Sequence, residues 1–150
     1  MEKARVGLLL ATITVAGCSG SNVDTATYAT LREARSAGAI DRGWVPALLP
    51  ENAYELRAAY AVDGADRWGL FNFREADGEA LRGVLQPQEV SLAGTEMHIP
   101  ARIEWWPVIL RGRLDVERIQ HTGLRAYQSK SGDLVMAVNW KQGRAYYWTK

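Results

Sequence analysis

The residues best suited to chemistry in this sequence are a carboxylate beside two indoles, Glu104-Trp105-Trp106, with Arg111 a few positions later. Desolvation next to indole raises a carboxyl pKa, and sugar rings stack on indole, as in glycosidase sites. Adjacent residues of a helix or strand point in different directions, so we expect one of the two tryptophans to be partly exposed. These four residues form our candidate binding group, with Arg111 at its polar rim.

Motifs for other chemistry are absent from the sequence. It contains no Gly-x-Ser-x-Gly elbow, no phosphate-binding Gly-x-x-x-x-Gly-Lys loop, no HExxH and no cysteine pair. We interpret the two distant histidines, His98 and His121, as surface or hairpin residues. A glycan-cleaving enzyme would use Glu104 and a second carboxylate that the sequence does not locate. We predict binding, with no catalytic residue, metal or cofactor, and keep glycan cleavage as the alternative.

The first eighteen residues indicate export and lipidation. A basic start with Lys3 and Arg5 precedes the mostly apolar run 6–16, which is too short for a permanent transmembrane helix. Residues 15–18, Val-Ala-Gly-Cys, resemble the lipobox of bacterial lipoproteins, which implies cleavage after residue 17 and acylation of Cys18. Cys18 is the only cysteine of the chain and has no partner for an internal disulfide. A secretory signal without lipidation is the alternative.

The expected mature chain carries no net side-chain charge. Cleavage removes Lys3, Arg5 and Glu2, so that 18 basic and 17 acidic residues become 16 of each. This balance, with no long basic run, argues against nucleic acid as a partner. The expected partners are the membrane, through the lipid anchor, and an envelope protein or peptidoglycan. Ser19 after the cysteine implies, in a Gram-negative host, an outer-membrane lipoprotein facing the periplasm.

Length and composition predict one folded domain behind a short tether. The chain has 150 residues, of which 47% are apolar and 23% charged, and this composition is typical of a globular protein. We predict a signal peptide over 1–17, a lipidated cysteine and tether over 18–26, and a globular domain over 27–150. The tether residues after the cysteine reach about 28 Å at most, which keeps the domain close to the lipid headgroups.

The apolar pattern of the domain predicts an α+β fold. A helix is predicted over 27–37, because Thr30 and Glu33 stand at capping-box spacing and Gly38 can end the helix. Period-two alternation predicts a hairpin over 54–73. The remaining predictions are a short helix starting at Asp77 and ending before Pro87, an extended stretch over 89–99, a short helix from Pro107 to Gly112, and a three-stranded meander from Leu124 with turns at Ser131-Gly132 and Gln142-Gly143. We therefore expect a small single domain in which two hairpin or meander units form an antiparallel sheet beside short helices.

Several aromatic and proline landmarks support a family resemblance. They are the run 36–50, the 54–73 hairpin, Trp105-Trp106-Pro107 with Leu110, and the terminal Tyr146-Tyr147-Trp148. Together they resemble small bacterial lipoproteins that carry a domain similar to the YbbD head domain. The resemblance spans nearly all of the expected mature chain. It implies a fold and an envelope location, and it implies no reaction or ligand.

Overall fold

A seven-stranded antiparallel sheet organises residues 22–150, the part of the chain that our computed structural model describes. The described strands are β1 (Val23–Thr30), β2 (Tyr54–Ala61), β3 (Arg67–Asn72), β4 (Leu85–Glu89), β5 (Glu96–Met97), β6 (Gly112–Arg113), β7 (Leu124–Ser129), β8 (Leu134–Asn139) and β9 (Arg144–Thr149). The described α-helices are α1 (Leu31–Ser36), α2 (Gly78–Val84) and α3 (Val116–His121), with single 3-10 turns at Glu75–Asp77 and Val108–Leu110. The main sheet has the order β1-β2-β3-β9-β8-β7-β4, and β5 pairs with β6 separately.

The predicted α+β class and antiparallel sheet are confirmed. The hairpin is β2 and β3, and the meander is β7, β8 and β9, with turns at the predicted Ser-Gly and Gln-Gly positions. The two units join into one continuous sheet because β3 pairs with β9, where Trp68 lies opposite Trp148. Aromatic cross-strand pairs of this kind stabilise antiparallel sheets.

The N-terminal end of the sheet corrects two of our predictions. The sheet begins at Val23, which lies opposite Ala61, so residues 23–26, which we predicted as tether, belong to β1. The helix predicted over 27–37 is also wrong at its start, because residues 27–30 complete β1. In that strand Tyr28 is buried opposite Leu56. Strand pairing therefore decides the conformation of Tyr28, and the three-residue spacing from which we predicted a helix does not. The signal peptide and Cys18 lie outside the described residues.

The caps of α1 are those that the sequence predicts. The Thr30 hydroxyl accepts a hydrogen bond from the Glu33 N–H at 3.1 Å, and the Glu33 carboxylate accepts one from the Ala29 N–H at 2.7 Å. Gly38 follows the helix with φ 75°, the left-handed conformation that glycine adopts without steric cost. The capping signals therefore located the helix correctly, although the helix begins four residues later than predicted.

Both faces of the sheet are buried. One face packs under α1, the 37–53 connection and α2, around a cluster that includes Phe71 and Tyr147. The other face packs under the 90–123 segment, whose largest buried side chain is Trp106. The predicted short helix is confirmed as α2, although the Asp77 side chain makes no capping hydrogen bond, and Pro87 is tolerated because β4 is an edge strand.

Two predictions for the 89–121 region need correction, and one helix there was not predicted. The extended stretch over 89–99 is broken by a turn at Gly94, whose φ is 74°, so only Glu89 and the short β5 are strand. The helix predicted from Pro107 to Gly112 is a single 3-10 turn, because Arg111 is already extended and leads into β6. We did not predict α3. Its N-cap is Asp115, whose carboxylate accepts a hydrogen bond from the Arg118 N–H at 3.1 Å.

Candidate functional site

The two adjacent tryptophans have different environments, as we expected. Trp106 is 2% exposed, and its indole N–H donates to the Leu110 carbonyl oxygen at 2.9 Å. Its ring packs edge-on against Tyr146 and Trp148, with centroids 5.9 and 6.1 Å away. Trp106 is therefore a core residue that attaches the 90–123 segment to the sheet, and it is not available to a ligand. Trp105 is half-buried, and its ring reaches a cleft beside the segment.

Arg111 has a structural role and does not form the polar rim that we predicted. Its Nε donates to the Trp106 carbonyl oxygen at 3.2 Å, and its Nη2 donates to the Ile103 carbonyl oxygen. These bonds hold the 103–106 loop and so fix the position of Trp105. Glu104 is exposed and does not line the cleft. Of the four residues in our candidate binding group, Trp105 is the one that lines this cleft.

The cleft lies on the sheet face that Trp106 covers, and it has a volume of about 510 Å³. We call it the Trp105 cleft. Trp105 and Tyr146 form an aromatic wall, and Leu70 of β3 contributes apolar surface. The other lining residues, from β1, β2, β9 and their ends, are Thr27, Tyr28, Ala29, Glu55, Arg57 and Arg144. This volume is within the usual range for small-ligand sites.

Two arginines carry positive charge into the Trp105 cleft. Arg57 projects from β2 between Thr27 on β1 and Leu70 on β3, and its exposed side chain makes no hydrogen bond or ion pair with any other described residue. Arg144 donates from Nε to the Asn72 side-chain oxygen at 2.8 Å. Within residues 22–150, no carboxylate lies within 4.0 Å of either guanidinium. The guanidinium groups retain donors for an anionic group.

Glu55 contributes a carboxylate in an unusual backbone conformation. Its φ is 50°, and the register of β2 against β3 shifts between Tyr54 and Arg57. A residue other than glycine in the left-handed region costs about 1 kcal/mol or more, and such residues are concentrated at functional sites. The Glu55 carboxylate accepts a hydrogen bond from the Asn72 side-chain nitrogen, so Asn72 links Glu55 to Arg144. This link fixes both charged groups at one end of the cleft.

Sequence reasoning did not identify Glu55, Arg57 or Arg144. They lie on different strands, or at a bulge, and they meet because β3 pairs with both β2 and β9. The spacing of these residues in the sequence does not indicate which strands pair. A weak signal was available in Arg57, a cation in the middle of a strand whose neighbours are mostly apolar.

The histidines occupy surface positions. The His98 side chain is 86% exposed and lies 4.0 Å from the Glu96 carboxylate, and His121 is an exposed residue at the end of α3. Residues 22–150 contain no group of three or more histidine, cysteine or acidic side chains placed to hold a metal ion. Over the same range, no helix is long and apolar enough to span a membrane.

Comparison with known proteins supports the family resemblance over one part of the chain. The family model of the YbbD head domain matches residues 22–72, which run from the start of β1 to the end of β3. The resemblance expected from the sequence is confirmed there, and Glu55 and Arg57 lie within the match. The later landmarks, Trp105 and the terminal aromatic residues, lie beyond the match. Neither a curated protein nor a solved structure matches the chain.

Proposed function

We propose that this protein is a lipid-anchored envelope protein that binds peptidoglycan in the Trp105 cleft. The observation that carries the proposal is the cleft itself, where an aromatic wall faces two arginines without carboxylate partners among the described residues. The lipobox-like run that ends at Cys18 supports the anchor, and the similarity to the YbbD head domain is consistent with an envelope location.

The position of the cleft suits a ligand on the periplasmic side of the anchor. Asn22 adjoins the β2–β3 turn, because its carbonyl oxygen accepts a hydrogen bond from the Val62 N–H at 2.8 Å. Cys18 is four residues earlier, a reach of about 14 Å at most. Thr27 and Ala29 line the cleft and lie about 13 and 20 Å along β1 from its start. The anchor would therefore hold the turn end near the membrane, with the cleft toward the opposite end of the sheet.

The lining of the cleft favours binding over cleavage of glycan. Most glycoside hydrolases place two carboxyl groups on either side of the scissile bond. Of the described residues that line the cleft, Glu55 is the one acidic residue. Glu104, the candidate for the enzymatic alternative, is exposed and outside the lining.

A sedimentation assay tests the proposal with the lipidated protein purified in detergent. We expect the protein to pellet with purified sacculi and to leave the sacculi intact. Trp105→Ala is expected to weaken this binding about five- to tenfold, because stacking on an aromatic wall is worth roughly 1 kcal/mol or more. The measurement is the bound fraction as a function of the amount of sacculi.

Val108→Ala is the matched control, because Val108 is 83% exposed on the same segment and does not line the cleft. We expect it to bind sacculi as the parent protein does. The proposal is wrong if the parent protein stays in the supernatant or if both variants bind equally well. Release of soluble fragments would instead identify a glycan-cleaving enzyme.

A further inference from the structure

We infer that Arg57 and Arg144 bind a carboxylate of the peptide stems of peptidoglycan, so that the stems, and not the glycan strands, are the part that this protein recognises. The inference rests on the proposed function and names the ligand chemistry of the same cleft. It assigns the arginines to the anionic group and the Trp105–Tyr146 wall to the adjoining part of the ligand.

The first support is that one cleft holds two arginines, and neither of them is paired with a carboxylate of residues 22–150. Arg57 and Arg144 line the same cleft and have no acidic partner within 4.0 Å among the described residues. Like charges in one cleft repel each other, and an anion between them relieves the repulsion.

The second support is that Arg144 is held in place before any ligand arrives. Its Nε donates to the Asn72 side-chain oxygen, while the Asn72 nitrogen donates to Glu55. The two terminal nitrogens of Arg144 make no hydrogen bond with any side chain or carbonyl of the described residues, so they are available to an acceptor. A guanidinium fixed at one nitrogen loses little conformational entropy when it binds, and its planar donors match the two oxygens of a carboxylate.

The third support is the charge of Glu55, which selects among anions. With Arg57 and Arg144 it gives the charged lining of the cleft two positive groups and one negative group. A monoanionic carboxylate is compatible with that balance, whereas a phosphate dianion meets repulsion from Glu55. The Glu55 carboxylate also accepts hydrogen bonds, which suits an ammonium or amide N–H close to the ligand carboxylate. Cell-wall peptides carry carboxylates and nitrogen donors in that proximity, whereas the lactyl carboxyl group of the glycan is an amide wherever a stem is attached.

The test is a competition version of the sacculus assay, again with the detergent-purified lipidated protein. Three soluble competitors are titrated over the same concentration range: stem peptides, chitin oligosaccharides, which are N-acetylated sugar strands without a carboxylate, and inorganic phosphate. We expect stem peptides to displace the protein from sacculi at a concentration at least tenfold lower than either of the others. We also expect binding to weaken as salt concentration rises, because the contact is between charges.

The matching variants are Arg57→Gln and Arg144→Gln, with Arg118→Gln as the control because Arg118 is exposed on α3 and outside the cleft. Each cleft variant is expected to weaken binding about tenfold and to reduce its salt dependence, while the control binds as the parent does. Melting temperatures within a few degrees of the parent show that the variants are folded. Arg57→Gln is the less disruptive of the two substitutions, since the Arg57 side chain makes no hydrogen bond or ion pair with the residues that the structure describes.

The outcomes separate this inference from the proposed function. If sacculi bind but chitin oligosaccharides compete as well as stem peptides, or both arginine variants bind normally, the inference is wrong and the proposed function stands. If phosphate is the best competitor, the cleft is an anion site of another class and the inference is again wrong. If the parent protein does not bind sacculi at all, the proposed function fails as well, and an envelope protein becomes the candidate partner.

Discussion

Replacing Gly69 with alanine is expected to lower the free energy of unfolding by about 3 kcal/mol. Gly69 lies directly opposite Tyr147 in the β3–β9 pair, and a Cβ at this position would overlap ring atoms of Tyr147. Tyr147 is 1% exposed and packs against Phe71, with ring centroids 6.4 Å apart, so its ring has little room to move. The predicted loss is measured by urea denaturation of the purified protein.

Gly83→Ala is the control for this prediction. Gly83 lies within α2, and a Cβ there would meet no atom within 4 Å. Alanine in a helix is favoured over glycine by about 0.5 to 1 kcal/mol, so this variant is expected to be as stable as the parent or slightly more stable. Equal effects of the two substitutions would contradict the packing that we describe at Gly69.

Replacing Cys18 with serine is expected to abolish lipidation of the chain completely. The thiol is the group that receives the diacylglyceryl chains in lipoproteins, and serine offers no equivalent nucleophile to that modification. A single acyl chain binds membranes only marginally, whereas two or three chains anchor a protein stably. The expected result is complete loss of the acylated, cleaved mass from the detergent phase.

Ser19→Ala is the matched control for the anchor, because it changes the neighbouring residue and leaves the thiol in place. We expect this variant to remain in the detergent phase with the acylated mass. The lipoprotein assignment would be refuted if the Cys18→Ser protein still entered the detergent phase at its mature mass.

The sequence predicted those parts of the fold that local patterns determine. Turn residues with alternating apolar neighbours located the β2–β3 hairpin and the β7–β8–β9 meander, and Gly132 and Gly143 adopt the positive φ values that their turns require. The start of α1 was misplaced because Tyr28 satisfies both a helical step toward Leu31 and the period-two alternation of β1. Pairing with β2 decided between the two patterns, and that contact lies outside any local window of sequence.

The candidate site was predicted only where neighbouring residues define it. Because adjacent side chains point in different directions, we correctly expected Trp105 and Trp106 to differ in exposure. The sequence did not indicate which of the two is buried. Arg111 does not line the Trp105 cleft, and its Nε and Nη2 donate to carbonyl oxygens of the 103–106 loop. The charged part of the cleft combines Glu55 at a bulge in β2 with Arg144 on β9, which are distant in sequence. Only the sheet topology brings them together.

The most direct test of the account is photo-crosslinking in intact cells from two exposed positions that lie far apart, one on the edge strand β1 and one in the β7–β8 turn. A photoreactive amino acid replaces Thr27, which lines the Trp105 cleft, or Lys130, which lies in the β7–β8 turn. We expect the protein crosslinked from position 27 to remain attached to sacculi boiled in detergent, and the protein with the probe at position 130 to be released. Attachment from position 130 alone, or from neither position, would contradict the assignment of the Trp105 cleft as a peptidoglycan-binding site.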